Sequence, residues 1–182
     1  MKITRQKKPD VKAMMIQACH LANHMIYGYS CFDTDYTGMG TTMVSAVVVG
    51  DDVYVLNVGD SRAYRITRRK MVQITRDHSL VQDMVDRGEI TPEQARTHPR
   101  RNVITRALGV DENVPCDIFK PRLSRGDMLL LCSDGLTNML EDREIFELSK
   151  HNPDPLSLGR ALMAEALERG ATDNVTVVII SK

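Results

Sequence analysis

Three aspartates in this 182-residue sequence share a setting in which a carboxylate could do chemistry. "LLLCSDG" ends an apolar run on Asp134, and "LNVGDSRAY" places Asp60 between two β-branched segments. "ATDNVTVVII" places Asp173 directly before the last such segment. Aspartate has the shortest carboxylate arm, so at the end of a rigid strand its charge is held at a defined place. Mg²⁺ and Mn²⁺ are hard cations that take oxygen ligands, binding through a few carboxylates while keeping several waters. Short acids arriving at one place from distant parts of a chain would suit them. The same residue types are also the usual turn formers, because Asp, Asn, Ser and Gly satisfy or free the backbone locally. Spacing alone leaves both readings open: three separate turns, or one cation site. Gly135 would allow a sharp turn after Asp134 and the close approach of a ligand or water.

The elements that must position these acids can be read from periodicity. Met128 to Cys132 is a short apolar run without polar alternation, which reads as a strand buried on both faces. "TMVSAVVVG" (42–50), "VYVLNVG" (53–59), "RAYRIT" (62–67) and "MVQIT" (71–75) are β-branched and separated by short polar turns, the pattern of an antiparallel meander. Further strands are expected over 116–120, 127–133 and 174–181. Residues 11–29 carry Val11, Met14, Met15, Ala18, Leu21, Ala22, Met25 and Ile26 at i, i+3, i+4 spacing, an amphipathic helix with one side facing the core. Two short helices are expected between 76 and 109. One starts with Ser79 and Gln82 as a capping box, the other with Thr91, Pro92 and Gln94. Their charge content places them over the surface of the sheet. A helix from Asp154 to Gly170 has an N-cap, a proline at its first position and a glycine stop. Strands grouped ahead of long helices indicate an α+β fold rather than a parallel sheet, and the sequence holds no G-x-G-x-x-G and no P-loop.

Composition bounds the partners. Lys plus Arg and Asp plus Glu are both 24, so no basic excess points to nucleic acid. No run approaches the roughly 18 apolar residues of a membrane span. The basic opening "MKITRQKKPDVK" lacks the apolar region of a secretory leader. Cys19, Cys31, Cys116 and Cys132 form no CxxC pair and read as free thiols in a reducing cytosol, so the expected location is cytoplasmic.

Five stretches occur in a characteristic order: "GTT" (40–42), "VGDSRAY" (58–64), "ITRDHSLVQDMVDRGEITPEQARTHPRRNVITRALG" (74–109), "LLLCSDGLTNML" (129–140) and "ATDNVTVVII" (171–180). In these the chain resembles the metal-dependent protein phosphatases, the type 2C serine/threonine phosphatases, in their bacterial branch. The resemblance runs from about residue 11 to the C-terminus. It implies an antiparallel β-sandwich flanked by helices on both sides. It also implies a cleft at one end where a pair of Mn²⁺ or Mg²⁺ ions activates a water against phosphoserine or phosphothreonine. Asp134 and Asp173 match carboxylates of that core site. Asp60 matches the acid that, with Asp134, holds a third and weaker ion. Residues 76–109 match the flap beside the cleft, whose His78, His98, Arg100 and Arg101 could meet an acidic phosphopeptide or could be solvated surface. Phosphoproteins are the implied substrates, with a bacterial Ser/Thr kinase and its targets as partners.

The sequence departs from that pattern at its start. The family opens with a strand pair ending in an Arg-x-x-Asn-Glu-Asp type sequence and with an Asp-Gly-Met-Gly-Gly loop whose acid bridges two metals. Neither is present, and no catalytic residue beyond the metal acids can be assigned. "DYTGMGTT" follows the helix and precedes the GTT strand, so Asp35 is not the bridging acid. The expectation is a single type 2C phosphatase-like domain that lacks the N-terminal strands and is incomplete for catalysis. The alternatives are a fragment of a longer phosphatase, a non-catalytic phosphoprotein-binding module of the same fold, or a dimer that covers the missing strands.

Overall fold

The computed structural model describes residues 10–32 and 34–182. The basic opening segment read above for a leader lies outside these residues as far as residue 9. The elements in chain order are α1 (Val11–Phe32), β1 (Met43–Val49), β2 (Asp52–Val58), β3 (Arg62–Ile66), β4 (Met71–Gln73), α2 (Leu80–Asp86), α3 (Pro92–Thr97), β5 (Asp117–Phe119), β6 (Met128–Cys132), α4 (Asp134–Thr137), α5 (Asp142–His151), α6 (Pro155–Glu168) and β7 (Val177–Ser181).

The strands form two antiparallel sheets, ordered β1-β2-β5 and β4-β3-β6-β7. The continuous meander expected over 42–75 is therefore corrected. Its two hairpins form, but β2 and β3 belong to different sheets, and the chain crosses between them at Gly59–Ser61. The reason is burial. Stacked sheets bring Val53 and Val55 of β2 against Ala63 of β3 and Leu129 and Leu131 of β6. A flat four-strand meander would leave one face of these β-branched residues in water. Gly59 makes the crossing possible. Its φ is +103°, and a Cβ there would collide with the Thr42 side chain.

All five residues of β6 are buried, as its unalternating sequence requires. Leu129 and Leu131 face the other sheet, whereas Met128, Leu130 and Cys132 face Leu136, Leu140, Ile145, Leu158 and Leu162 of the helical layer. Each fully buried leucine contributes about 1.5–3 kcal/mol relative to exposure, which makes β6 the most firmly seated strand in the molecule. On the opposite side α1 packs Met15 and Cys19 onto Leu56 and Val58 of β2. The molecule is thus layered helix, sheet, sheet, helix.

The core-facing side of α1 differs from the expected one. Met15, Cys19 and Asn23 are buried, with Val11, Ala22 and Ile26 packed beside them. Met14, Leu21 and Met25 are more than half exposed. The apolar residues on α1 are spread around more than one face, so periodicity counted both faces as one. The Asn23 side chain takes a place in the buried stripe because all of its polar atoms are paired. Its amide donates to the carbonyls of Asp111 and Glu112, and its oxygen accepts the Gly109 N–H.

Candidate functional site

β3 and β6 are antiparallel neighbours with Arg62 opposite Cys132. The residues before β3 and after β6 therefore emerge at the same end of the sheet. This places Asp60 and Asp134 in the lining of one cleft of about 560 Å³. The far wall of that cleft comes from α2, α3 and the loop after α3, through Val81, Gln82, Pro92, Arg96 and Arg101. The segment expected to lie over the sheet thus walls the acidic end. Ser79 caps α2 by accepting the Gln82 N–H at 3.3 Å, but Gln82 turns its own amide to Asp86 instead of completing a box. Thr91 and Gln94 do complete theirs on α3.

Asp60 is pushed up to about 6, first by burial and then by the negative charge of Asp134. Neither carboxylate takes part in an ion pair among the described residues; Asp134 accepts only the Asn138 amide at 3.2 Å. Two acids at one cleft, Asp60 raised in part by the charge of Asp134, with no cationic side chain bonded to either, fit a hard divalent cation that prefers a few carboxylates and keeps its waters. This donor set is what makes the pair a candidate metal centre.

Asp173 is brought near by a different device. A Cβ on Gly135 would collide with the carbonyl oxygen of Asn174, so only glycine lets the 173–176 loop lie against the start of α4. The close approach foreseen for a ligand at Gly135 is made instead by this carbonyl. Ser133 ties the two segments, its hydroxyl donating to the Asn174 carbonyl at 3.2 Å and accepting the Thr176 N–H at 3.0 Å. The Asp173 carboxylate itself is exposed and accepts the Asn174 N–H at 2.7 Å, and it does not line the cleft. Among the described residues no group of three or more His, Cys, Asp or Glu side chains is arranged to hold a metal ion. The structure brings Asp60 and Asp134 together and leaves Asp173 one loop away.

The four basic or imidazole residues of segment 76–109 separate. Arg101 lines the cleft. His98 is the C-terminal cap of α3, and its Nδ1 accepts the Arg100 N–H at 3.1 Å. Arg100 is exposed outside the cleft lining. His78 is 2% exposed and sits behind the Gly59–Asp60 turn. Its Nδ1 accepts the Gly59 N–H at 3.0 Å, so the neutral ring carries its proton on Nε2, which donates to Asp117 Oδ2 at 3.1 Å. Arg106 holds Asp117 from the other side at 3.1 Å.

Sequence reading passed over Asp77 and Arg62. Arg62 Nε and Nη2 grip Asp77 at 3.0 and 2.7 Å, and Nη1 donates to the Tyr64 hydroxyl, which donates in turn to Asp142. Both residues line the cleft. The available signal was "DHS": Asp77, His78 and Ser79 are consecutive polar residues after a strand, and all three are buried.

A family model described as protein phosphatase 2C matches residues 10–167. The serine/threonine phosphatase stp of Listeria monocytogenes serotype 4b is 38% identical over 173 residues, which are 95% of this chain and 69% of that protein. The crystal structure of serine/threonine phosphatase Stp1 from Staphylococcus aureus superposes with a TM-score of 0.92 at 40% identity, covering 99% of this chain and 71% of that one. The catalytic domain of the serine/threonine protein phosphatase PstP, solved in complex with two manganese ions, superposes with a TM-score of 0.85 at 34% identity, covering 96% and 73%.

Proposed function

The chain belongs to the protein phosphatase 2C family, and from that membership we propose that it acts on phosphoserine and phosphothreonine in proteins with Mn²⁺ or Mg²⁺ held at Asp134 and Asp60. The observation that carries this reading is the Asp60–Asp134 pair itself: two acids without ion-pair partners at one cleft, one of them raised to about 6 by burial and by the other. The cation supplies neutralisation of the phosphate charge and activation of a water for attack at phosphorus. The remaining work belongs to the chain. β6 fixes Asp134 and the Gly59–Ser61 crossing fixes Asp60, while the Asp173 carboxylate stays exposed one loop away. Arg101 and Arg96, in the 76–109 flap, offer guanidinium groups to the phosphate or to acidic residues around it. Substrates are phosphoproteins, and a Ser/Thr kinase that makes them is the expected counterpart in the cell.

A second reading has its own support. The 182 residues contain no Asp-Gly-Met-Gly-Gly loop, and among the described residues no third acid joins Asp60 and Asp134. A binding module of the same fold would hold phosphoproteins without turnover. Hydrolysis of p-nitrophenyl phosphate with Mn²⁺ separates the two, with the chain alone and with a segment carrying Asp-Gly-Met-Gly-Gly added in trans. The phosphatase reading expects turnover in the mixture that Asp134→Asn abolishes. Phosphopeptide binding with no turnover in the mixture establishes the module.

A further inference from the structure

The end of the second sheet opposite Asp60 and Asp134 carries the reverse charge. The turn between β3 and β4 supplies Arg68, Arg69 and Lys70, and the turn before β6 supplies Arg125. With Arg65 and Asp127 these residues line a groove of about 530 Å³. Arg65 is neutralised, its Nε and Nη2 bonded to Asp127 Oδ2 at 2.9 and 2.7 Å. Arg68, Arg69, Lys70 and Arg125 are exposed and form no ion pair among the described residues. In a chain of zero formal net charge, four unpaired cations gathered in one groove form a local field that draws anions.

The groove is built rather than loose. The Thr67 hydroxyl accepts the N–H groups of Arg69 and Lys70 at 3.2 and 3.0 Å and donates to the Lys70 carbonyl at 2.9 Å, which fixes the hairpin tip. The opposite wall is fixed where Asp127 Oδ2 accepts the Ser124 N–H at 2.9 Å and Gly126 N–H donates to the Lys182 carbonyl at 2.8 Å. The two turns that carry the cations therefore need no backbone ordering when they bind.

Its lining also selects the partner. No aromatic side chain is present on which a nucleobase could stack. No apolar side chain is present to enter a bilayer. Guanidinium forks on two separate turns match carboxylates spaced along an extended chain. We propose that this groove binds an acidic segment of a partner protein, one with clustered Asp and Glu side chains. Four strand steps of β3 separate its ends, so the segment docks about 13 Å of strand away from the Asp60–Asp134 cleft. The proposal does not rest on the phosphatase reading.

The test is fluorescence anisotropy of a labelled Asp/Glu-rich peptide with the 182-residue chain, without phosphate or added metal, at low and physiological salt. The expected result is saturable, salt-sensitive binding that Arg68→Glu with Arg69→Glu weakens by about tenfold or more. Arg125→Glu on the other wall should weaken it as well, and this variant keeps the test valid if the hairpin variant is misfolded. Arg160→Glu, which alters an exposed cation outside the groove, should leave it unchanged. Absence of saturable binding by the wild type, equal binding by the groove variants, or equal weakening by Arg160→Glu would each overturn the proposal. So would tighter binding of oligouridylate or of anionic vesicles through the same arginines.

Discussion

His78 holds Gly59 from both sides. Its ring Nδ1 accepts the Gly59 N–H at 3.0 Å, and its own backbone N–H donates to the Gly59 carbonyl at 3.0 Å. Asn57 adds a third hold, its amide donating to the same carbonyl at 3.1 Å. The residue after Gly59 is Asp60, so the imidazole acts on the candidate metal centre through the backbone without touching it. His78→Ala would leave the Gly59 N–H buried and unpaired and would open a cavity, so we expect a loss of about 2 kcal/mol or more. Urea unfolding measures it. An unchanged midpoint would show that the turn does not need the ring.

Asp60 makes the metal-free fold pay for its charge. Its carboxyl stands at about 6 in the fold, pushed up by burial and by Asp134, against about 3.9 in an unfolded chain. The folded value is the higher one. The protonated form therefore favours folding, and that contribution is lost as pH rises through about 6. Asp60→Asn mimics the protonated form at every pH. In chelator-treated protein it should raise stability at neutral pH by about 1–3 kcal/mol, with the gain shrinking as pH falls below 6. His78 titrates in both proteins, so the difference between their unfolding midpoints isolates Asp60. A gain that is absent at neutral pH, or that grows with acid, would contradict this.

Gly135→Ala tests what holds the loop that carries Asp173. The added methyl would meet the Asn174 carbonyl, so the 173–176 loop must retreat from α4. Backbone is the obstacle and cannot rotate away as a side chain would. We expect a cost of about 1–3 kcal/mol, read as a lower thermal midpoint, together with proteolytic sensitivity at the loop. An unchanged midpoint would mean that the loop yields freely.

Asp77→Ala should be the most damaging single change in the cleft wall. Asp77 has a side chain only 8% exposed and is the partner of Arg62, itself 23% exposed. Removing Asp77 leaves Arg62 only the Tyr64 hydroxyl and the distant, half-exposed Asp142 at 3.8 Å, and losing one member of a mostly buried pair costs about 3–5 kcal/mol. A denaturant titration against Asp77→Asn, which keeps the shape and some of the hydrogen bonds, should rank wild type above Asn above Ala.

Most elements were legible because each has a local signature: the apolar run of β6, the caps of α3 and α6, the β-branched hairpins. Asp60 and Asp134 were legible as acids at strand ends. What escaped depends on contacts between distant residues. Nothing in two adjacent hairpins says whether β2 pairs with β3 or stacks over it. His78 was read as a flap surface group because its neighbours are charged, while its actual partners, Gly59 and Asp117, lie 19 and 39 positions away. Asp173 matched a motif, yet its carboxylate faces solvent beside Asn174. The sequence pattern located the loop and not the direction of the side chain.

Calorimetric titration of the purified chain with Mn²⁺ shows whether Asp60 and Asp134 form a divalent cation site. Saturable binding to the wild type is expected, weakened by about tenfold or more in both Asp60→Asn and Asp134→Asn, since each removes one of two carboxylates. Binding of Mn²⁺ to both variants as tightly as to the wild type would contradict it.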